Sequence, residues 1–287
     1  MRHTAPSEKF LMLFRGVVYD YEIFDRLVLQ RDLARVERVY RARGYYDAHA
    51  RAGRVIKTSD NHVRVEIIVE EGAALTVVSV QEWSDESTQL SSHFVQVGRD
   101  ARLRHIVVTL GGSVVRLNPS VHLSGEGADG ELFGLYFADS GQHFEQRVYL
   151  HHQAANTKGR VNYKGALQGE GAHTVWVGDV LIGPQASGTD SYEQNRNLVL
   201  SEGTRADSIP NLEIETGDIL GAGHASATGR FDDEQLFYLQ ARGISEEEAR
   251  RLVVIGFLAE IVQKVGNPEL EAHLHAAIEA ELMPGAR

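Results

Sequence analysis

The chain has 287 residues, 43% of them hydrophobic and 24% charged, which is ample material for a large buried core. A net charge of −11 argues against a general nucleic-acid binder, and the absence of Cys excludes disulfides, thiolate-ligated zinc and thiolate-held clusters supplied by this chain. No apolar run approaches the ~20 residues of a membrane-spanning helix; Phe10 to Phe14 is too short for a signal-peptide core and Arg15 ends it, so the expected location is cytoplasmic.

Charge is unevenly distributed. Residues 1–71 hold 13 Lys+Arg against 11 Asp+Glu, whereas the remainder holds 16 against 29, a shift that marks a module boundary near Gly72. Within the first segment, Leu29, Leu33, Val36 and Val39/Tyr40 recur at helical spacing and predict a helix over Asp25 to Arg43, stopped by Gly44. His62 to Glu70 alternates as a strand, with Val55 to Thr58 as its hairpin partner across Ser59-Asp60-Asn61. The stretches "RVERVYRARGYYDA" (Arg35 to Ala48) and "VRVEIIVEEG" (Val63 to Gly72) resemble a POTRA domain. An N-terminal α+β POTRA-like module over 1–72 is therefore expected.

From Ala73 to Gly229 short alternating runs return at intervals of about ten residues, separated by Gly, Asn, Asp or Ser. They cover Leu75 to Trp83, Leu103 to Gly112, Ser113 to Leu123, Leu132 to Ala138, His143 to Gln153, Gly159 to Leu167, His173 to Gly183 and Asn195 to Gly203. Such a series fits a sandwich, a barrel or a β-helix. Two details favour the β-helix: no Asn-Gly or Asp-Gly hairpin set recurs, and polar turn tracts return at similar positions.

The last segment, 230–287, reads as helical. Phe231 to Gly243 has acidic residues in its first turn and a Gly stop. Ser245 to Gly266 opens on a capping box, Ser245 with Glu248, and carries an expected apolar stripe of Leu252, Ile255, Leu258/Ala259 and Val262. Asn267-Pro268 restarts a third helix. Phe237, Tyr238, Phe257 and Leu258 exceed what three short helices need for one another, so docking on the β segment or on a partner is expected.

Candidate chemistry is sparse. "GEGADG" (Gly125 to Gly130) matches a dinucleotide-binding spacing but precedes a strand, and no P-loop exists, so no nucleotide is expected to bind this chain. His151 and His152 point to opposite faces of a strand, and His273 and His275 diverge on a helix; both pairs are expected at the surface. Glu213 and Glu215 share one strand face at about 6.5–7 Å, a spacing compatible with carbohydrate acid–base chemistry. His224 sits in "GDILGAGHASATG" (Gly217 to Gly229) among residues too small to cover it, so it is either exposed or covered by another subunit.

From Gly72 to about Gly266 the chain resembles SufD, of the SufB/SufD family of iron–sulfur cluster assembly scaffolds. The resemblance is carried by "LFGLYFADSGQHFE" (Leu132 to Glu145), "YKGALQGEGAHTVWVGDVLI" (Tyr163 to Ile182), "NRNLVLS", "ADSIPNLEI" and "GHASATGRFDDEQLFYL" in that order. It implies a mainly β fold, a right-handed parallel β-helix over 73–229 followed by a small α-helical C-terminal domain over 230–287. It further implies a non-catalytic subunit of a SufBCD complex. The β-helix would pair with SufB, or with a second copy where SufB is absent. The helical domain would dock the SufC ATPase, with Phe231, Glu234, Gln235, Phe237, Tyr238 and Arg242 as partner-binding residues. His224 falls on the family's interface histidine and is the candidate ligand for transient iron or an iron–sulfur cluster shared with SufB. Ala222 occupies a position where some relatives carry Cys, so sulfur ligands would come from SufB. Two other functions remain open: a POTRA-type polypeptide-binding envelope module, and a β-helix carbohydrate-active enzyme using Glu213 and Glu215.

Overall fold

The computed structural model describes Thr4–Pro6, Glu22–Phe24, Arg51–Ser59 and residues 62–231 and 233–282; the helix expected over Asp25 to Arg43 lies outside the described residues. Strands β1 (Thr4–Pro6) and β2 (Glu22–Phe24) pair antiparallel. β3 (Arg51–Ser59) and β4 (His62–Val69) form the expected antiparallel hairpin. The sheet continues across the boundary expected near Gly72. β4 runs parallel to β6 (Thr88–Val97) from Glu66↔Phe94 to Val69↔Val97, and Val69 belongs to the main core.

Beyond the hairpin the chain alternates between two sheets. One stacks β4, β6, β8 (Val114–Leu123), β10 (His143–His152), β12 (His173–Ile182) and β14 (Arg205–Ile214), with β3 at its edge. The other stacks β5 (Ala74–Gln81), β7 (Arg102–Thr109), β9 (Asp129–Ala138), β11 (Lys158–Leu167), β13 (Thr189–Val199) and β15 (Ile219–Arg230). All pairings in the two stacks from β4 onward are parallel, so each coil is one strand from each sheet and the whole is a parallel β-solenoid. The turns stack as well. Asp100, Gly127, Asn156 and Gly188 take left-handed φ of 51°, 71°, 59° and 69°. Their amides link successive coils, Gly127 N to Ala155 O and Asn156 N to Ser187 O. Asp, Asn and Gly tolerate this backbone, which explains the returning polar tracts.

In the even sheet β8 and β10 alternate, burying every second residue and leaving most of the others half-buried. In the odd sheet, β7, β9 and β11 end in continuous buried runs because their outer face is covered. The cover is α2 (Glu246–Val262) and α3 (Pro268–Leu282), whose Val254, Leu258, Ile261, Leu274 and Ile278 pack on Ile106, Phe133, Leu135 and Phe137. Docking on the β segment thus accounts for much of the surplus apolar surface, but the stripe is rotated from the expected one. Leu252 is exposed while Val254 and Ile261 are buried, since the sheet lies on the other side of Leu258. The capping box is half formed. Ser245 Oγ accepts from Glu248 N at 3.3 Å, but the Glu248 carboxylate turns to Arg251, which offers a stronger charged donor.

Polar contacts tie the helices to the odd sheet. Lys164 Nζ donates to Glu260 Oε2 at 2.6 Å and to Phe257 O at 2.9 Å, and Gln168 Nε2 donates to Glu281 O at 2.8 Å. Inside the solenoid, large rings lie over glycines of neighbouring coils. A Cβ on Gly134 would stand 2.0 Å from the Tyr163 ring, and one on Gly165 2.0 Å from the Tyr136 ring. Those glycines are therefore required by packing and not by backbone angle.

Candidate functional site

The solenoid ends on an open coil. β14 and β15 are the terminal strands of their sheets, so each presents an outer backbone edge with no strand beyond it among the described residues. Tyr192, Ile209, Ile214 and Leu220 stand exposed around this end, Leu220 by 79%. His224 lies in the middle of β15, which pairs with β13 so that Glu193 faces His224 and Tyr192 faces Gly223. Gly223 has a packing reason, since an added Cβ would meet the Tyr192 ring at 3.2 Å.

Residues alternate across β13. Thr189, Ser191, Glu193, Asn195 and Asn197 are all buried, and the register carries their column onto Ala222, His224, Ser226 and Thr228 of β15. These point toward the solenoid interior, but the end is open, so the His224 side chain is exposed by 45%. Asn195, Asn197 and Tyr136 form a closed network: Tyr136 Oη donates to Asn197 Oδ1 at 2.7 Å, Asn195 Nδ2 to Tyr136 Oη at 2.8 Å, and Asn197 Nδ2 to Thr228 Oγ1 at 3.2 Å. Glu193 is different. It is fully buried, its Oε1 lies 3.8 Å from His224 Nδ1, and neither oxygen has a hydrogen-bond partner among the described residues. Burial, reinforced by Asp179, pushes its carboxyl up to about 8. Glu193 escaped sequence reasoning although it lies two residues before the quoted "NRNLVLS". The available signal was the polar run Ser191, Glu193, Asn195, Asn197 at every second position, which marks a strand with a polar inner face.

The arrangement supplies one accessible imidazole backed by one buried carboxylate. Among the described residues, no three His, Cys, Asp or Glu side chains gather to hold a metal ion. A cation at His224 would therefore need further donors from solvent or from a partner.

The second expected site is α1 (Asp233–Gln240) and its flanks. Phe237 and Tyr238 are exposed, the former by 72%, and Arg242 stacks on the Tyr238 ring at 3.4 Å while donating to Tyr238 O. Glu234 is exposed. Phe231 is instead buried with Leu236 and Ala249, so it supports the helix from beneath. The Gln235 side chain lies outside the described residues.

The remaining sequence candidates separate. "GEGADG" is a turn leading into β9. Glu213 is the next-to-last residue of β14 and Glu215 lies beyond its end, both exposed, so the two do not share one strand face as expected; burial, then Asp179, Glu213 and Glu215, hold the Tyr149 phenol above its usual range. His273 is exposed and bonds Glu82 at 2.8 Å. The pair His151/His152 diverges as expected, but only His151 is near the surface. His152 is fully buried, its ring nitrogens 2.8 Å from Thr157 Oγ1 and 3.0 Å from Ser191 Oγ, because strand alternation turns it into the core. No helix among the described residues is long and apolar enough to cross a membrane.

A parallel solenoid with a helical cover on one sheet and, among the described residues, an open terminal coil is the class of architecture this chain adopts. Comparison with known proteins makes this specific. The family model described as SUF system FeS cluster assembly, SufBD core domain, matches residues 36–257, and the chain belongs to that family. It is 61% identical over 224 residues to an iron–sulfur cluster assembly SufBD family protein of Mycobacterium leprae, covering 76% of this chain and 57% of the relative. A Mycobacterium tuberculosis SufBD family protein is 59% identical over 224 residues, covering 76% and 56%. One from Staphylococcus saprophyticus is 31% identical over 212 residues, covering 74% and 45%. The chain thus spans about half the length of the curated relatives it matches.

Proposed function

We propose that this chain is a SufD-type scaffold of a cytoplasmic SufBCD-like complex. Residues 73–229 form the pairing unit and 230–287 the ATPase-docking unit. The observation that carries the reading is the open solenoid end: two strand edges unpaired among the described residues and exposed Ile209, Ile214 and Leu220 surround a half-exposed His224. Such an edge suits continuation by the parallel strands of a second β-helix, a SufB-like subunit or, without it, a second copy. The exposed Phe237 and Tyr238 of α1, with Arg242 stacked on the latter, suit a SufC-like ATPase. ATP hydrolysis resides in that partner, and this chain catalyses no step itself.

In this reading iron or a nascent cluster is the cargo. It sits at the pairing interface, with His224 as this chain's nitrogen donor and thiolates supplied by the partner. The test is anaerobic co-expression with SufB-like and SufC-like subunits. Copurification of all three is expected, and no complex under native conditions overturns the assignment. His224→Ala should leave the complex intact and lower its iron and sulfide content; unchanged content removes the role of His224.

A further inference from the structure

Glu193 is the one buried carboxylate of the solenoid interior that lacks any hydrogen-bond partner among the described residues. A buried carboxyl with no partner for either oxygen costs free energy even as the neutral acid, so a fold that keeps one there has a use for it. The surrounding residues make room for it. A Cβ on Gly178 would come within 2.3 Å of Glu193 Oε2 and 2.2 Å of the Trp176 ring, so only glycine at 178 lets the carboxylate and the indole share that space. Trp176 Nε1, Tyr163 Oη and Ser208 Oγ are also buried without partners, and β14 sets Ser208 directly beside Trp176. The register then stacks Glu193 against His224, with Oε1 3.8 Å from Nδ1. That is too long for a hydrogen bond. It is close to the separation of about 3–3.4 Å that two ligand atoms adopt when each lies ~2.1 Å from one ion. Rotation about the exposed imidazole's own torsions covers the difference.

We propose that Glu193 is a second protein ligand, with His224, for a ferrous-type divalent cation at the mouth of the solenoid. The carboxylate oxygen reaches the ion from inside, and the imidazole Nδ1 reaches it from the rim. A divalent ion takes the place of the carboxyl proton and supplies the countercharge that the ionised carboxylate needs, and the mixed nitrogen–oxygen donor pair suits Fe2+. The remaining coordination positions face outward, where water or a partner's donors complete them. The proposal rests on the reading of His224 as an iron ligand and deepens it: iron enters this interface as an ion held by this chain.

The test is anaerobic titration of the full chain with Co2+ alone, a spectroscopic stand-in for Fe2+, following the visible d–d absorption. The signal lost in His224→Ala isolates this site from the other histidines. Glu193→Gln preserves shape and should weaken that same signal's affinity by ~10-fold or more. Thermal melting of the variant checks its fold. Glu193→Asp, which withdraws the carboxylate by one methylene, is read in the same way if the Gln variant does not fold. Wild-type affinity in both Glu193 variants, with His224→Ala still deficient, overturns the role of Glu193 and leaves the His224 reading standing. No Co2+ signal dependent on His224 overturns the paired site altogether, whereas the scaffold reading is judged separately by complex formation.

Discussion

Removing the Glu260 carboxylate tests how the helical cover is held on the solenoid. Lys164 lies on β11 with its ammonium buried between Glu260 Oε2, Phe257 O and the face of the Phe257 ring, 4.7 Å from the centroid. Asn162 Nδ2 donates to the other Glu260 oxygen at 2.9 Å. Breaking a buried pair from one side costs roughly 3–5 kcal/mol, because the other charge remains. The Glu260 side chain is 50% exposed, so water reaches part of the site. We therefore expect about 2 kcal/mol for Glu260→Ala. That converts to roughly thirtyfold faster opening of the α2 amides, measured by native-state hydrogen exchange. Replacing Lys164 by Met in the Glu260→Ala background removes the stranded charge and should restore most of the protection. The carboxyl is held below its usual range first by the Lys164 hydrogen bond. A depressed carboxylate stabilises above its unfolded value of 4.5 and loses that contribution as pH falls, so the gap between wild type and Glu260→Ala should shrink on acidification. Exchange rates at α2 within threefold of wild type in Glu260→Ala, or costs of the two substitutions that simply add, would refute the clamp.

Two further outcomes probe the interior. Gly165→Ala places a Cβ 2.0 Å from the Tyr136 ring and 2.6 Å from Asn197 Oδ1, inside a closed network, and should lower stability by about 3 kcal/mol or more in urea unfolding. Gly256→Ala, on an exposed stretch of α2 with nothing within 4 Å, should instead gain up to ~1 kcal/mol; equal costs at the two sites would contradict the packing account. His152 is pushed down to about 4, chiefly by burial and then by His151 and Arg160. Its unfolded value is 6.5, so the native state stays neutral while the unfolded chain takes up a proton, and stability is lost as pH falls from 6.5 toward 4. His152→Asn should flatten the stability change between pH 7 and 4.5 by about 2 kcal/mol, and an unaltered slope would show that His152 is not responsible.

Much of this molecule was legible in its residues. Alternation located β4, β5 and β7 to β12 closely and caught only the end of β13, and Ser245, Gly243 and Pro268 marked the helix boundaries. The motifs from Leu132 to Leu239 carried the family. β6, "TQLSSHFVQV", escaped because its middle is polar, and β15 escaped because Gly, Ala and Ser carry no alternation to read. What only the tertiary structure decided is which side of each element meets something. Parity along a strand says that His151 and His152 differ, not which one is inside. Helical spacing draws a stripe through Leu252 or through Val254 equally well until the odd sheet is in place. The same holds for Glu193 and His224. Neighbours in a solenoid are a coil apart in sequence, and the turns, stacked through residues such as Asn156 and Gly188, set the register that brings them together. That register is a sum over many weak backbone contacts, so no local run of residues announces that a buried carboxylate waits under an exposed imidazole.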